Sequence, residues 1–132
     1  MKAKKAKEEQ SGQVIRIFTD GSGCRPDGKG SGYAWIRPDT GEKKIVREDG
    51  LTNNQAEYMA IRAAMDALPK HSKVEILTDS ENSCFQLKGT RRVLDPKLLE
   101  LYNEIQAIVE KNGLRVSFTW IPRRENLAGK LL

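Results

Sequence analysis

The stretch Ile15–Gly23, IRIFTDGSG, is an apolar, β-branched run that stops at a carboxylate and passes at once into small residues. Val74–Asn82, VEILTDSEN, repeats the plan. Both read as strands followed by turns, because Ile, Val, Phe and Thr suit a pleated surface while Gly and Ser do not. In α/β sheets ligands sit beyond the carboxyl ends of strands, so Asp20 and Asp79 are the first candidates for chemistry. Aspartate also turns the chain at strand ends for purely structural reasons, and either residue alone would be read that way.

Outward from these two strands the punctuation is clear. Val14–Thr19 is the first strand, and 25–32, with Pro26, Gly28, Gly30 and Gly32, is a turn-rich loop. Tyr33–Arg37 and Lys43–Glu48 flank the turn signal PDTG and predict a hairpin. Thr52–Leu68 predicts a helix: Thr52 with Gln55 makes a capping box, and Pro69 stops the run. Lys73–Thr78 is a strand, Ser80–Leu87 a short helix, and Pro96–Lys111 a helix with Leu98, Leu101, Ile105 and Ile108 at helical spacing. Leu114–Ile121 alternates as a half-buried strand, and a last helix is expected from about Glu125. The order βββαβααβα implies an α/β layer fold with a mixed sheet, an antiparallel meander continued by strands joined through helices.

The chain has 132 residues, 38% hydrophobic and 31% charged, the balance of one soluble domain able to bury its own core. No apolar run reaches the roughly 18 residues of a membrane helix. Residues 1–12 are charged with no apolar segment behind them, which predicts a disordered basic tail rather than a signal peptide, ahead of a single domain over 13–132. A cytoplasmic location and a monomer without membrane contact are expected. The net charge of +5 leans toward a polyanionic partner, although Lys2, Lys4, Lys5 and Lys7 against Glu8 and Glu9 account for +2 of it. Cys24 and Cys84 lack CxxC spacing, and free thiols are the expectation. His71 is the sole histidine and lies in the loop PKHSK, which removes His-based nucleophilic and zinc chemistry. The near-match of Gly23–Gly30, GCRPDGKG, to a phosphate-cradling loop fails because Gly30 replaces the hydroxyl and a strand follows where a helix is needed.

Glu57 makes the two aspartates informative. On the Thr52–Leu68 helix it shares a stripe with Ile61, Ala64 and Leu68, while Arg62 and Asp66 fall about 140° and 180° away at roughly 100° per residue. A favourable charge near a helix N-terminus contributes only about 0.3–1 kcal/mol, less than the cost of a carboxylate at the core's edge. No Lys or Arg shares the stripe. Three converging acids would repel by about 4 kcal/mol per pair at 4 Å and an effective dielectric of 20. Such a cluster needs cations, and hard oxygen ligands suit Mg²⁺ or Mn²⁺.

Phe18–Gly23 (FTDGSG), Thr52–Ala60 (TNNQAEYMA) and Ile76–Glu81 (ILTDSE), in this order and spacing, resemble the type 1 ribonucleases H, over Val14 to about Asn126. The TNNxAE element is the specific part. The resemblance implies a ribonuclease H-like fold, a mixed five-stranded sheet flanked by helices. It implies metal-dependent endonucleolytic cleavage of the RNA strand of an RNA/DNA hybrid, leaving 5′-phosphate and 3′-hydroxyl ends. Asp20, Glu57 and Asp79 match the acids that hold two divalent cations, Mg²⁺ or Mn²⁺, with Gly21 beside them. Gly21, Ser22, Asn53, Asn54 and Gln55 match positions at the hybrid's minor groove, where 2′-hydroxyls distinguish RNA, and Thr52 matches a holder of a DNA-strand phosphate. For Thr52 and its neighbours helix capping is the structural alternative.

Three departures stand out. The family's mobile histidine is missing, with Arg123 or Arg124 as stand-ins; the long basic insertion after Leu87 is missing, with the Lys-rich tail or Lys88, Arg91 and Arg92 as replacements, or as plain solvated charge. The fourth acid is missing, its place falling to Asn126, Gly129 or Lys130 according to register. Asn126 is the one of these with a side-chain oxygen for a cation; it is also a good helix cap. On the ligand reading, Asn126→Asp leaves stability alone and lowers the metal requirement. The rival functions are a non-catalytic nucleic-acid binding module on this fold and a related nuclease acting on other duplexes.

Overall fold

The structure is a computed structural model and describes residues 13–132; the tail expected over 1–12 lies outside the described residues. Five strands form one sheet: β1 (Val14–Ser22), β2 (Gly32–Arg37), β3 (Glu42–Arg47), β4 (Lys73–Thr78) and β5 (Arg115–Trp120). Its order is β3-β2-β1-β4-β5. The β1–β2 and β2–β3 pairs are antiparallel, and β1–β4 and β4–β5 are parallel. The mixed five-stranded sheet expected from the sequence is therefore the sheet observed.

Three α-helices accompany it: α1 (Asn53–Asp66), α2 (Glu81–Leu87) and α3 (Pro96–Lys111). Alternation in β1 sends Ile15, Ile17 and Thr19 inward and leaves Val14 and Arg16 out. Ile15 and Ile17 share one core with Tyr58, Ile61, Ala64 and Met65 of α1 and Ile105 of α3, all buried. Glu57, Ile61, Ala64 and Leu68 are all buried, as the helical stripe required, while Asp66 is exposed and Arg62 reaches Glu104 at 2.8 Å.

The capping box is formed: Thr52 Oγ1 accepts from Gln55 N at 3.1 Å, and Gln55 Oε1 accepts from Thr52 N at 3.0 Å. Cys24 and Cys84 are free thiols. No helix among the described residues is long and apolar enough to cross a membrane.

Two expectations are corrected. β1 continues past Thr19 to Ser22, because Asp20, Gly21 and Ser22 keep pairing with Ala34, Tyr33 and Gly32. The last α-helix does not form; two 3-10 turns, Arg123–Glu125 and Leu127–Leu131, replace it. Between them Asn126 is extended (φ −84°, ψ 105°), so one helix cannot run through it.

Candidate active site

The register of the parallel pair answers why two strands end in Thr-Asp. Thr19 lies opposite Thr78 across β1–β4, which brings Asp20 and Asp79 to neighbouring strand ends. Both threonines are fully buried, and Thr78 Oγ1 accepts from Ser80 N at 3.0 Å.

Glu57 completes the group, and glycine makes its approach feasible. A Cβ on Gly21 would lie 2.3 Å from the Ala56 carbonyl carbon and 2.4 Å from Glu57 N; one on Gly23 would lie 2.6 Å from Asn53 N. Real side chains never come so close to backbone, so only glycine lets the end of β1 dock on the first turns of α1. Gly23 N then donates to Asn53 Oδ1 at 2.7 Å and pins the junction.

Asp20, Glu57 and Asp79 each offer an oxygen within 4.8 Å of the others. Glu57 is 8% exposed, and its Oε1 is buried without a hydrogen-bond partner. Burial first, then the charges of Asp20 and Asp79, push the Glu57 carboxyl up to about 9. Burial and the neighbouring Asp79 raise Asp20 to about 6, with a Gly21 backbone hydrogen bond and the Arg123 charge opposing. Without a cation Glu57 keeps its proton at neutral pH. An orphaned buried carboxylate oxygen facing two more carboxylates, with oxygen the only donor type, fits a hard divalent ion.

Asn126 sits against the cluster and is 1% exposed. Its Nδ2 donates to Thr19 O at 2.9 Å and to Asp79 Oδ2 at 3.2 Å, while its Oδ1 accepts from Ala128 N at 3.1 Å. The oxygen expected to bind metal is thus committed to a cap, and the amide nitrogen faces the acid. Reversing the amide would set an oxygen against two acceptors, so the network fixes its orientation. This geometry turns the Asn126 N–H, rather than the oxygen a metal would need, toward Asp79. With two acceptors facing that N–H, a carboxylate at position 126 is expected to cost stability rather than leave it unchanged.

The other candidates lie nearby in varied roles. Gly21, Ser22 and Asn53 line a cleft of about 480 Å³ together with Asp20, Arg123, Arg124 and Lys130. Asn54 is exposed at the start of α1, and Thr52 and Gln55 are engaged in the capping box. Lys88 and Arg91 flank the Phe85 ring at the end of α2, 5.4 and 5.3 Å from its centroid. Trp120 was not singled out from the sequence: its Nε1 donates to Asp79 O at 3.2 Å and steadies the end of β4. Period-two alternation places Trp120 on β5, but no sequence signal names its partner.

The family model for RNase H matches residues 12–127. A ribonuclease H of Acidovorax sp. (strain JS42) is 30% identical over 121 residues, 83% of this chain and 81% of that protein. The bifunctional protein Rv2228c of Mycobacterium tuberculosis is 36% identical over 77 residues, 57% of this chain. The chain spans 21% of that protein's length and 45% of a similar ribonuclease H from Bradyrhizobium sp. (strain ORS 278). Among solved structures, LC11-RNase H1 in complex with an RNA/DNA hybrid superposes with a TM-score of 0.77 at 28% identity, covering 89% of this chain and 92% of that one. With the family model matched across the whole sheet and the three acids gathered where two strand ends meet α1, the chain belongs to the RNase H family.

Proposed function

We propose that this chain cleaves the RNA strand of RNA/DNA hybrids by metal-dependent hydrolysis. The observation that carries the proposal is the buried, unpartnered Glu57 Oε1 within a cluster shared with Asp20 and Asp79. Stability alone would not retain three adjoining carboxylates with one oxygen unsatisfied. Asp20, Glu57 and Asp79 would hold the catalytic divalent metal, Mg²⁺ or Mn²⁺; the family's pattern is a pair of such ions. Bound there, such ions acidify water and stabilise charge on the departing oxygen.

The chain's own residues do the rest. Asn126 holds Asp79 in place through its amide N–H. Gly21, Ser22 and the first turn of α1, Asn53 to Gln55, offer a polar surface to the minor groove, where contact with 2′-hydroxyls selects RNA. Thr52, with its hydroxyl hydrogen free to donate outward while the oxygen caps α1, suits a phosphate of the other strand. Attack by a water oxygen on phosphorus breaks the P–O3′ bond; the 3′-oxygen takes a proton, leaving 3′-hydroxyl and 5′-phosphate ends. The LC11 enzyme was solved with a hybrid bound, which supports this substrate class.

The test is a labelled hybrid, a duplex RNA and a duplex DNA, each incubated with Mg²⁺, Mn²⁺ or EDTA. Cleavage of the hybrid's RNA strand only when a metal is present is expected. Binding without cleavage in either metal would favour a non-catalytic module, and DNA cleavage would move the chain to a different nuclease class.

A further inference from the structure

We propose that Arg123 and Lys130 supply the positive charge that a second divalent cation would otherwise bring, so that this chain binds one ion tightly; this rests on the nuclease reading above. Among the described residues the metal-binding acids number three, Asp20, Glu57 and Asp79. The cleft that Asp20 lines is also lined by Arg123, Arg124 and Lys130 and by no further acid. Gly129 is the backbone position aimed at the cluster: a Cβ there would lie 3.2 Å from Asp20 Oδ2, and glycine contributes nothing. Asn126, the other neighbour, turns an N–H rather than an oxygen toward Asp79.

Charge balance points the same way. Three carboxylates, one divalent ion and one scissile phosphate leave a deficit of two positive charges, which Arg123 and Lys130 cancel. With a second divalent ion the same site would stand at +2, and the two basic side chains would repel that ion. Both are free for the task. Arg124 leans on Glu125 at 3.9 Å, whereas neither Arg123 nor Lys130 forms an ion pair among the described residues. The Arg123 charge is felt at Asp20 and Glu57, so its guanidinium lies within electrostatic reach of the acids. Guanidinium and ammonium groups are natural partners of a phosphate oxygen.

The test counts Mn²⁺ bound to the full chain without substrate, by equilibrium dialysis with paramagnetic resonance detection, and measures hybrid cleavage in parallel. One tightly held Mn²⁺ per chain is expected. Gly129→Asp should raise the count to two; should that variant fold poorly, Lys130→Glu from the adjacent position should do the same. Arg123→Gln and Lys130→Gln should each lower kcat by at least about tenfold, with the tight Mn²⁺ count still one. That is below the roughly 10²–10³ of a preorganised donor, because both side chains are exposed. Lys130→Arg should restore most of the rate. Two equivalent Mn²⁺ ions on the parent chain, or glutamine variants that cut at the parent rate, would overturn the proposal. A parent that binds one Mn²⁺ but cuts no hybrid would leave the ion count standing and remove the nuclease reading.

Discussion

Replacing Glu57 by glutamine should make the metal-free protein more stable, in a pH-dependent way. The Glu57 carboxyl is raised from 4.5 to about 9 by burial and by Asp20 and Asp79. A carboxyl raised in the folded state binds more protons folded than unfolded, so stability is fully present below pH 4.5 and is lost as pH climbs toward 9. From 4.5 to 7.5 the folded chain keeps the proton that the unfolded chain releases. Three pH units at about 1.4 kcal/mol each give on the order of 4 kcal/mol, an upper figure because solvent around the half-buried aspartates screens their share. Glutamine removes this loss, and its amide hydrogens can donate to Asp20 and Asp79. In EDTA at pH 7.5 the variant should gain about 2–4 kcal/mol, or a Tm rise on the order of 10 °C, shrinking toward nothing near pH 5. Saturating Mn²⁺ should reverse the ranking, because only the parent binds the ion well; at a thousand times Kd that contributes about 4.1 kcal/mol. Thermal unfolding followed by circular dichroism across pH, with EDTA or Mn²⁺, measures all of this. Identical pH slopes for parent and variant in EDTA would refute the buried-carboxyl reasoning.

Asp20→Asn, Glu57→Gln and Asp79→Asn should each abolish cleavage in a hybrid assay while far-ultraviolet dichroism stays native; loss of fold in all three would make the acids structural. Gly21→Ala should cost at least about 2 kcal/mol in urea unfolding, since its Cβ would meet the Ala56 backbone at 2.3 Å. Asn126→Asp sets a carboxylate against Thr19 O and Asp79 Oδ2 and should cost about 3 kcal/mol in EDTA at pH 7.5; unchanged urea unfolding would mean that Asn126 does not hold Asp79. Affinity for hybrid should fall steeply with salt, and deleting residues 1–10 should flatten the slope slightly if the tail touches the substrate; gel-shift titrations at several ionic strengths settle this.

Much of this molecule is written in local pattern. Alternation in β1, the Thr52–Gln55 box, Pro69 and the helical spacing of Leu98, Leu101 and Ile105 each depend on neighbours a few residues away, so periodicity and capping chemistry were enough to place them. Asp20, Glu57 and Asp79 were legible because acids at strand ends and on an apolar helix stripe break the expected pattern. What tertiary structure alone decided is how distant segments meet. The parallel register of Thr19 with Thr78 sets the aspartates side by side, and the absence of a side chain at Gly21 lets α1 close on them. The fate of Asn126 was illegible for the same reason. Its amide answers to Thr19 O and Asp79, which lie 107 and 47 residues away. Hydrogen-bond partners at that separation leave no trace in local spacing, so the sequence offered a cap and a ligand equally. The fold chose the cap, because burial leaves the amide N–H only acceptors to face.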